Sequence, residues 1–149
     1  MRVKMTNSID IKNIRQDLLQ LDSAAISDAM DSLNLQGALL NIKARIKQVK
    51  MIGPAFTVKY ENIDAKPDSQ LNAGTYIDMV PAGAVIVIDG NQRADCTNWG
   101  NILTHKALQQ KISGTVIAGS VRDIEEIREL RYPLFSSHIY MVTGKNRTR

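Results

Sequence analysis

The chain has 149 residues, 44% hydrophobic and 23% charged, with a formal net charge of +4 and an isoelectric point near 9.3. That length suits one domain with a sizeable core, and the composition is that of an ordinary soluble globular chain. No apolar run approaches the ~20 residues that cross a bilayer, and no hydrophobic signal segment opens the sequence. We therefore expect a cytoplasmic protein without membrane association.

One cysteine, Cys96, excludes an internal disulfide and a multi-cysteine zinc site. His105 and His138 lie too far apart for zinc-helix spacing.

Residues 1–7 read as an extension outside the fold. Ile11, Ile14, Leu18, Leu19 and Leu21 recur at helical spacing, so a helix is expected from Ile9 to Leu21. Asp22 or Ser23 can cap a second helix reaching about Leu33, after which Asn34 and Gly37 break the chain. In "IKARIKQVK", Ile42 to Lys50, the cations Lys43, Arg45 and Lys47 alternate with Ile42, Ala44 and Ile46. This alternation predicts a strand with one wet face. No aromatics interleave with the charges, so nucleic-acid binding is not expected.

A strand pair or one bent strand is expected between Ala44 and Tyr60, interrupted at Gly53 to Ala55. "DSQLNAGTYIDMV" reads as a helix stopped by Pro81. "GAVIVIDG", Gly83 to Gly90, is apolar throughout and reads as a buried strand. A polar loop "NQRADCTN" leads to a helix from about Gly100. Then come a buried strand at Thr115–Gly119, a helix from about Asp123, and a short strand "YPLF". The closing "GKNRTR" reads as a frayed basic end. Apolar strands alternating with helices predict an α/β fold whose sheet is at least partly parallel.

Ligands of such sheets gather at the carboxyl ends of strands. Two strand ends stand out, one before "WGNIL" and one before Arg122 and Asp123. If the strands are neighbours, the N–H groups of Asn101, Ile102 and Leu103 can meet an anion there, and Gly100 clears space for it. Arg122, an unusual cation in a helix first turn, either supplies a planar fork to that anion or pairs with Glu125 or Glu126. Asp123 either holds a hard cation or simply starts its helix. Trp99 is expected in the core or anchoring a loop, and Cys96 as an inert thiol. His105 is expected in packing or at the surface, and Lys59 is a weak Schiff-base candidate.

The stretches "ISDAMD", "GPAFTV", "PAGAVIVIDG", "WGNILTHKAL" and "GTVIAGSVRDIEEI" with "YPLF" run in order from about Asp22 to Phe135. In them the chain resembles the family of the regulator of ribonuclease activity A and the 4-hydroxy-4-methyl-2-oxoglutarate aldolases, which includes proteins labelled demethylmenaquinone methyltransferase-like. The "WG" glycine and the distant "RDxxE" fall on Gly100, Arg122, Asp123 and Glu126.

The resemblance implies a swivelling β/β/α layered fold, assembled as a homotrimer or hexamer with sites at subunit interfaces. It implies a class II lyase using Mg2+ or Mn2+, which cleaves 4-hydroxy-2-oxo diacids to pyruvate and also decarboxylates oxaloacetate. Asp123 would be the direct metal ligand and Glu126 an outer one that orients bound water. Arg122 would contact the C2 oxygen and carboxylate of the pyruvate moiety, and the amides after Gly100 would bind that carboxylate. The other branch of the family implies a non-catalytic regulator that binds a ribonuclease.

Two departures stand out. Asn101 follows "WG" where the family commonly has Asp or Glu. Relatives also continue beyond "GKNR" into strands that lend an acidic residue to a neighbouring site, so a shortened chain with an exposed sheet edge is expected.

Overall fold

The structure, a computed structural model, describes residues 11–61, 74–91, 93–145 and 147–148. The chain forms two compact units, Met1–Ala38 and Leu39–Arg149. In the first, α1 (Ile11–Gln20) and α2 (Ser23–Ser32) match the helix read from apolar spacing and the second one read from its cap. Asp22 caps α2, its Oδ1 accepting the Ala25 N–H at 2.7 Å and satisfying a donor that a helix start leaves bare. Asn34, at φ 55°, takes the left-handed turn that asparagine tolerates. The expected extension, residues 1–7, lies outside the described residues.

The second unit contains β1 (Lys43–Ala44), β2 (Ala55–Lys59), a 3-10 turn (Thr75–Met79), β3 (Val85–Asp89), β4 (Thr97–Trp99), α3 (Asn101–Gln109), β5 (Gly114–Val121), α4 (Ile124–Glu129) and β6 (Leu134–Ile139). The sheet runs β1–β6–β5–β3–β2, with β4 also pairing β5. Every pairing is parallel except β1 with β6. The α/β expectation with a largely parallel sheet is met.

Its cause is visible in β3 and β5. Their near-continuous apolar runs bury Ile86, Ile88 and Ile117, as central parallel strands covered on both faces require. Ala107 of α3 and Ile124 and Ile127 of α4 complete this core. Trp99 lies within it, stacked on Tyr132 with ring centroids 5.9 Å apart. The indole N–H donates to Thr104 Oγ1 at 2.8 Å, and the Tyr132 hydroxyl meets Thr115 Oγ1 at 2.7 Å. Both aromatics therefore bury their bodies without stranding their polar tips.

Several local expectations change. The basic stretch keeps strand form only at Lys43–Ala44 and then turns, with Gln48 at φ 56°. Arg45 is responsible in part: its side chain folds inward onto Ser136 instead of standing on a wet strand face. Within Ala44–Tyr60, the long strand is therefore reduced to β2. The helix expected over 68–80 is a single 3-10 turn from Thr75 to Met79 where described; residues 68–73 lie outside the described set.

The polar loop before "WG" contains β4, too short to show periodicity. Where described, the closing basic stretch is not frayed: the Arg147 and Thr148 N–H groups donate to Gly144 O at 2.9 and 3.1 Å, and Thr148 is buried.

Candidate functional site

The carboxyl ends of β4 and β5 lie side by side. Their register pairs Trp99 with Val121, and the Arg122 N–H donates to Trp99 O at 3.1 Å. The chain then turns from β5 into α4 within two residues, Arg122 and Asp123, the latter with a left-handed backbone at φ 57°, ψ 35°. Gly100 is extended, at φ −159°, ψ −167°, a conformation open to any residue. Its requirement is steric instead. A Cβ there would lie 2.6 Å from Asp123 Oδ2 and 3.3 Å from Arg122 Nε.

The Asp123 carboxylate does not cap its own helix. Oδ2 accepts the Asn101 N–H at 3.0 Å, capping α3, and stands 3.4 Å from Arg122 Nε. Arg122 therefore pairs with neither Glu125 nor Glu126. Glu125 pairs with Arg128 at 3.0 Å. Glu126 bridges the two helices, meeting His105 Nε2 and accepting from Asn101 Nδ2, each at 2.7 Å. The bond to His105, and then that to Asn101, hold the Glu126 carboxyl below its ordinary range. His105 is at the surface as expected, with this carboxylate as its partner.

Asn101, Ile102 and Leu103 line a cleft of about 360 Å3 together with Gly100 and Arg122. Two of the three amides expected to receive an anion already have internal acceptors. Asn101 N–H donates to Asp123, and Ile102 N–H donates to Asn101 Oδ1 at 2.8 Å. The Nη1 and Nη2 atoms of Arg122 have no partner among the described residues, and its side chain is 37% exposed. Ile102 is 75% exposed.

Asn98, Tyr60, Thr143, Lys145 and Thr148 also line the cleft. Burial pushes the Tyr60 hydroxyl up to about 12.

Asn98 escaped the sequence reading. It is 5% exposed and neither amide atom has a hydrogen-bond partner. A Cβ on Gly90 or Gly119 would stand 2.6 or 2.8 Å from its Oδ1, so both glycines make room for it. The one available signal was an amide directly before the "WG" pair.

Cys96 is buried, and burial pushes its thiol up, in keeping with an inert role. Lys59 is exposed on the edge strand β2 and lies outside this cleft. Among the described residues no three His, Cys, Asp or Glu side chains gather to hold a metal ion. Asp123 offers one free carboxylate oxygen, Oδ1, since both of its contacts use Oδ2. A magnesium ion that keeps most of its waters needs one or two carboxylates, so this donor fits it.

The molecule is a mostly parallel α/β protein in which a glycine, an arginine and an aspartate converge at the strand ends, the place where ligands of such sheets gather. The RraA-like family, described as Aldolase/RraA, matches residues 23–149, and the chain belongs to that family. It is similar to Protein DlpA of Legionella pneumophila, at 48% identity over 96% of this chain and 23% of that protein. It is 31% identical to a Halalkalibacterium halodurans protein named "Putative 4-hydroxy-4-methyl-2-oxoglutarate aldolase", over 77% of this chain and 51% of that one. Among solved structures, an uncharacterized Pseudomonas syringae protein superposes with a TM-score of 0.82 at 41% identity, covering 93% of this chain and 64% of that one. The chain thus spans under a quarter of DlpA and about half of the Halalkalibacterium halodurans protein.

Proposed function

We infer that the cleft is a divalent-metal-dependent lyase site for small oxo acids, cleaving 4-hydroxy-4-methyl-2-oxoglutarate-like acids to pyruvate and decarboxylating oxaloacetate. The carrying observation is the convergence of Gly100, Arg122 and Asp123 within contact distance. Family membership and the named aldolase relative support it.

Asp123 would hold Mg2+ or Mn2+ through Oδ1, with Glu126 beyond it orienting bound water. The ion would supply Lewis acidity toward the substrate's 2-oxo oxygen. The Arg122 fork faces the same oxygen and the neighbouring carboxylate. There its charge opposes the negative charge that gathers as the carbon–carbon bond breaks. Gly100, Asn101, Ile102 and Leu103 form the wall against which the carboxylate lies.

One free carboxylate leaves the ion's waters poorly oriented, so a homotrimer or hexamer sharing acidic groups across subunits completes the reading. Pyruvate release from either substrate, dependent on Mg2+ or Mn2+ and abolished by a chelator, tests it. Absence of turnover in folded protein sinks it.

A second reading has one observation in its favour. The Asn101 and Ile102 amides and the Glu126 carboxylate are all engaged internally, a self-satisfied arrangement that suits a non-catalytic regulator binding a ribonuclease. Metal-independent, stoichiometric recovery of a ribonuclease from lysate would favour it over the lyase.

A further inference from the structure

At the carboxyl end of α4 lies a second cleft, of about 600 Å3, lined by Ala44, Arg45, Ile46, Lys47, Gln48, Arg128 and Arg131. Four of the seven are cations. Among the described residues the one carboxylate bonded to any of them is the exposed Glu125, on Arg128 Nη1 at 3.0 Å.

Arg45 is held in place without a counter-charge. Its Nε and Nη2 donate to the hydroxyl and carbonyl oxygens of Ser136, each at 2.6 Å. Arg128 Nε reaches back to Arg45 O at 3.4 Å. Lys47 and Arg131 have no partner among the described residues. Arg131 follows the last residue of the α4 turn, Leu130, and sits at φ 51°. Helices favour glycine there, so an arginine is kept against its backbone preference. Gln48, on the facing turn, is left-handed too, at φ 56°.

Like charges gathered in a concavity focus their field on an incoming anion. We propose that this cleft binds a small molecule through a diphosphate group. The Arg131 guanidinium offers a whole fork, which grips phosphate oxygens in pairs, and Arg45 and Arg128 add their charge and their remaining N–H groups beside it. Four cations against one carboxylate call for a multiply charged ligand, which a monocarboxylate is not. The volume suits a small molecule, as ligand pockets span about 300–1,000 Å3. No aromatic side chain lines the cleft to stack the bases of single-stranded RNA. This site is independent of the lyase reading.

Calorimetric titration of the full chain with pyrophosphate at constant ionic strength tests the proposal. Saturable one-to-one binding is expected, with sulfate at least tenfold weaker. Lys47→Glu and Arg131→Gly should each weaken pyrophosphate tenfold or more. Arg131→Gly should do so without lowering the melting temperature, since glycine is at ease at that backbone angle. No saturable binding, or unchanged affinity in both variants, would overturn the proposal. So would tighter, steeply salt-dependent binding of an RNA oligonucleotide in place of pyrophosphate.

Discussion

Gly100 stands so close to Asp123 that even a methyl group in its place would lie 2.6 Å from the carboxylate oxygen Oδ2. That oxygen also accepts the Asn101 N–H that starts α3, so one close approach ties the amino ends of two helices together. Gly100→Ala should push Asp123 off this bond at a cost of about 1–3 kcal/mol, the range for overpacking. If Asp123 holds the metal of the proposed lyase, displacing its carboxylate by even ~1 Å should cost on the order of 100-fold in rate. Thermal melting and pyruvate release measure the two effects. A variant that melts and turns over like the parent would refute the close-packing account.

Arg122→Lys should separate charge from shape. Lysine keeps the cation but loses the planar fork, whose Nη1 and Nη2 are unpartnered. Loss of a charge-assisted hydrogen bond is worth about 1.5–3 kcal/mol, so kcat/KM for oxaloacetate should fall roughly 10- to 100-fold. The effect of Asp123→Asn should differ in kind. Its activity should no longer respond to added Mg2+, whereas the Arg122 variant keeps that response. Identical metal dependence in both would contradict the division of roles.

Asn98 holds both amide atoms in the interior without partners. Each buried polar group left unsatisfied costs about 1–3 kcal/mol. Asn98→Leu, close in shape and free of polar atoms, should therefore raise the melting temperature, by about 2–8 °C per kcal/mol recovered. A lower melting temperature would mean that the amide has partners in solution, such as a trapped water.

Glu126 provides a pH prediction. Its carboxyl is held low first by His105 and then by Asn101. A folded-state value below the unfolded one makes a contribution to stability that is present above the ordinary carboxylate range. It is lost as pH falls through the depressed value. His105→Ala should move the Glu126 titration upward toward the ordinary range, as read by NMR of its side-chain carboxyl carbon. The acid-unfolding midpoint should shift to higher pH with it. An unmoved Glu126 titration would show that the 2.7 Å contact with His105 carries no charge coupling in solution.

The residue order alone determined the α/β alternation, because β3 and β5 are apolar on both faces and only a covered parallel strand tolerates that. It also singled out Gly100, Arg122 and Asp123, since a glycine beside a helix start and a cation in a first turn are locally out of place. What Arg122 and Asp123 touch was decided in three dimensions. Asp123 was readable as the start of α4, yet it caps α3, and that depends on the parallel pairing of β4 with β5. Asn98 was invisible because a three-residue strand shows no period, and its isolation arises where Gly90, just past β3, and Gly119 of β5 approach it. The basic stretch misled for the opposite reason. Its alternation was real in sequence, but Ser136, 91 residues further on, draws Arg45 inward and ends the strand at Ala44. Periodicity reports how a segment would lie on a surface, whereas hydrogen bonds between distant segments decide whether it lies there at all.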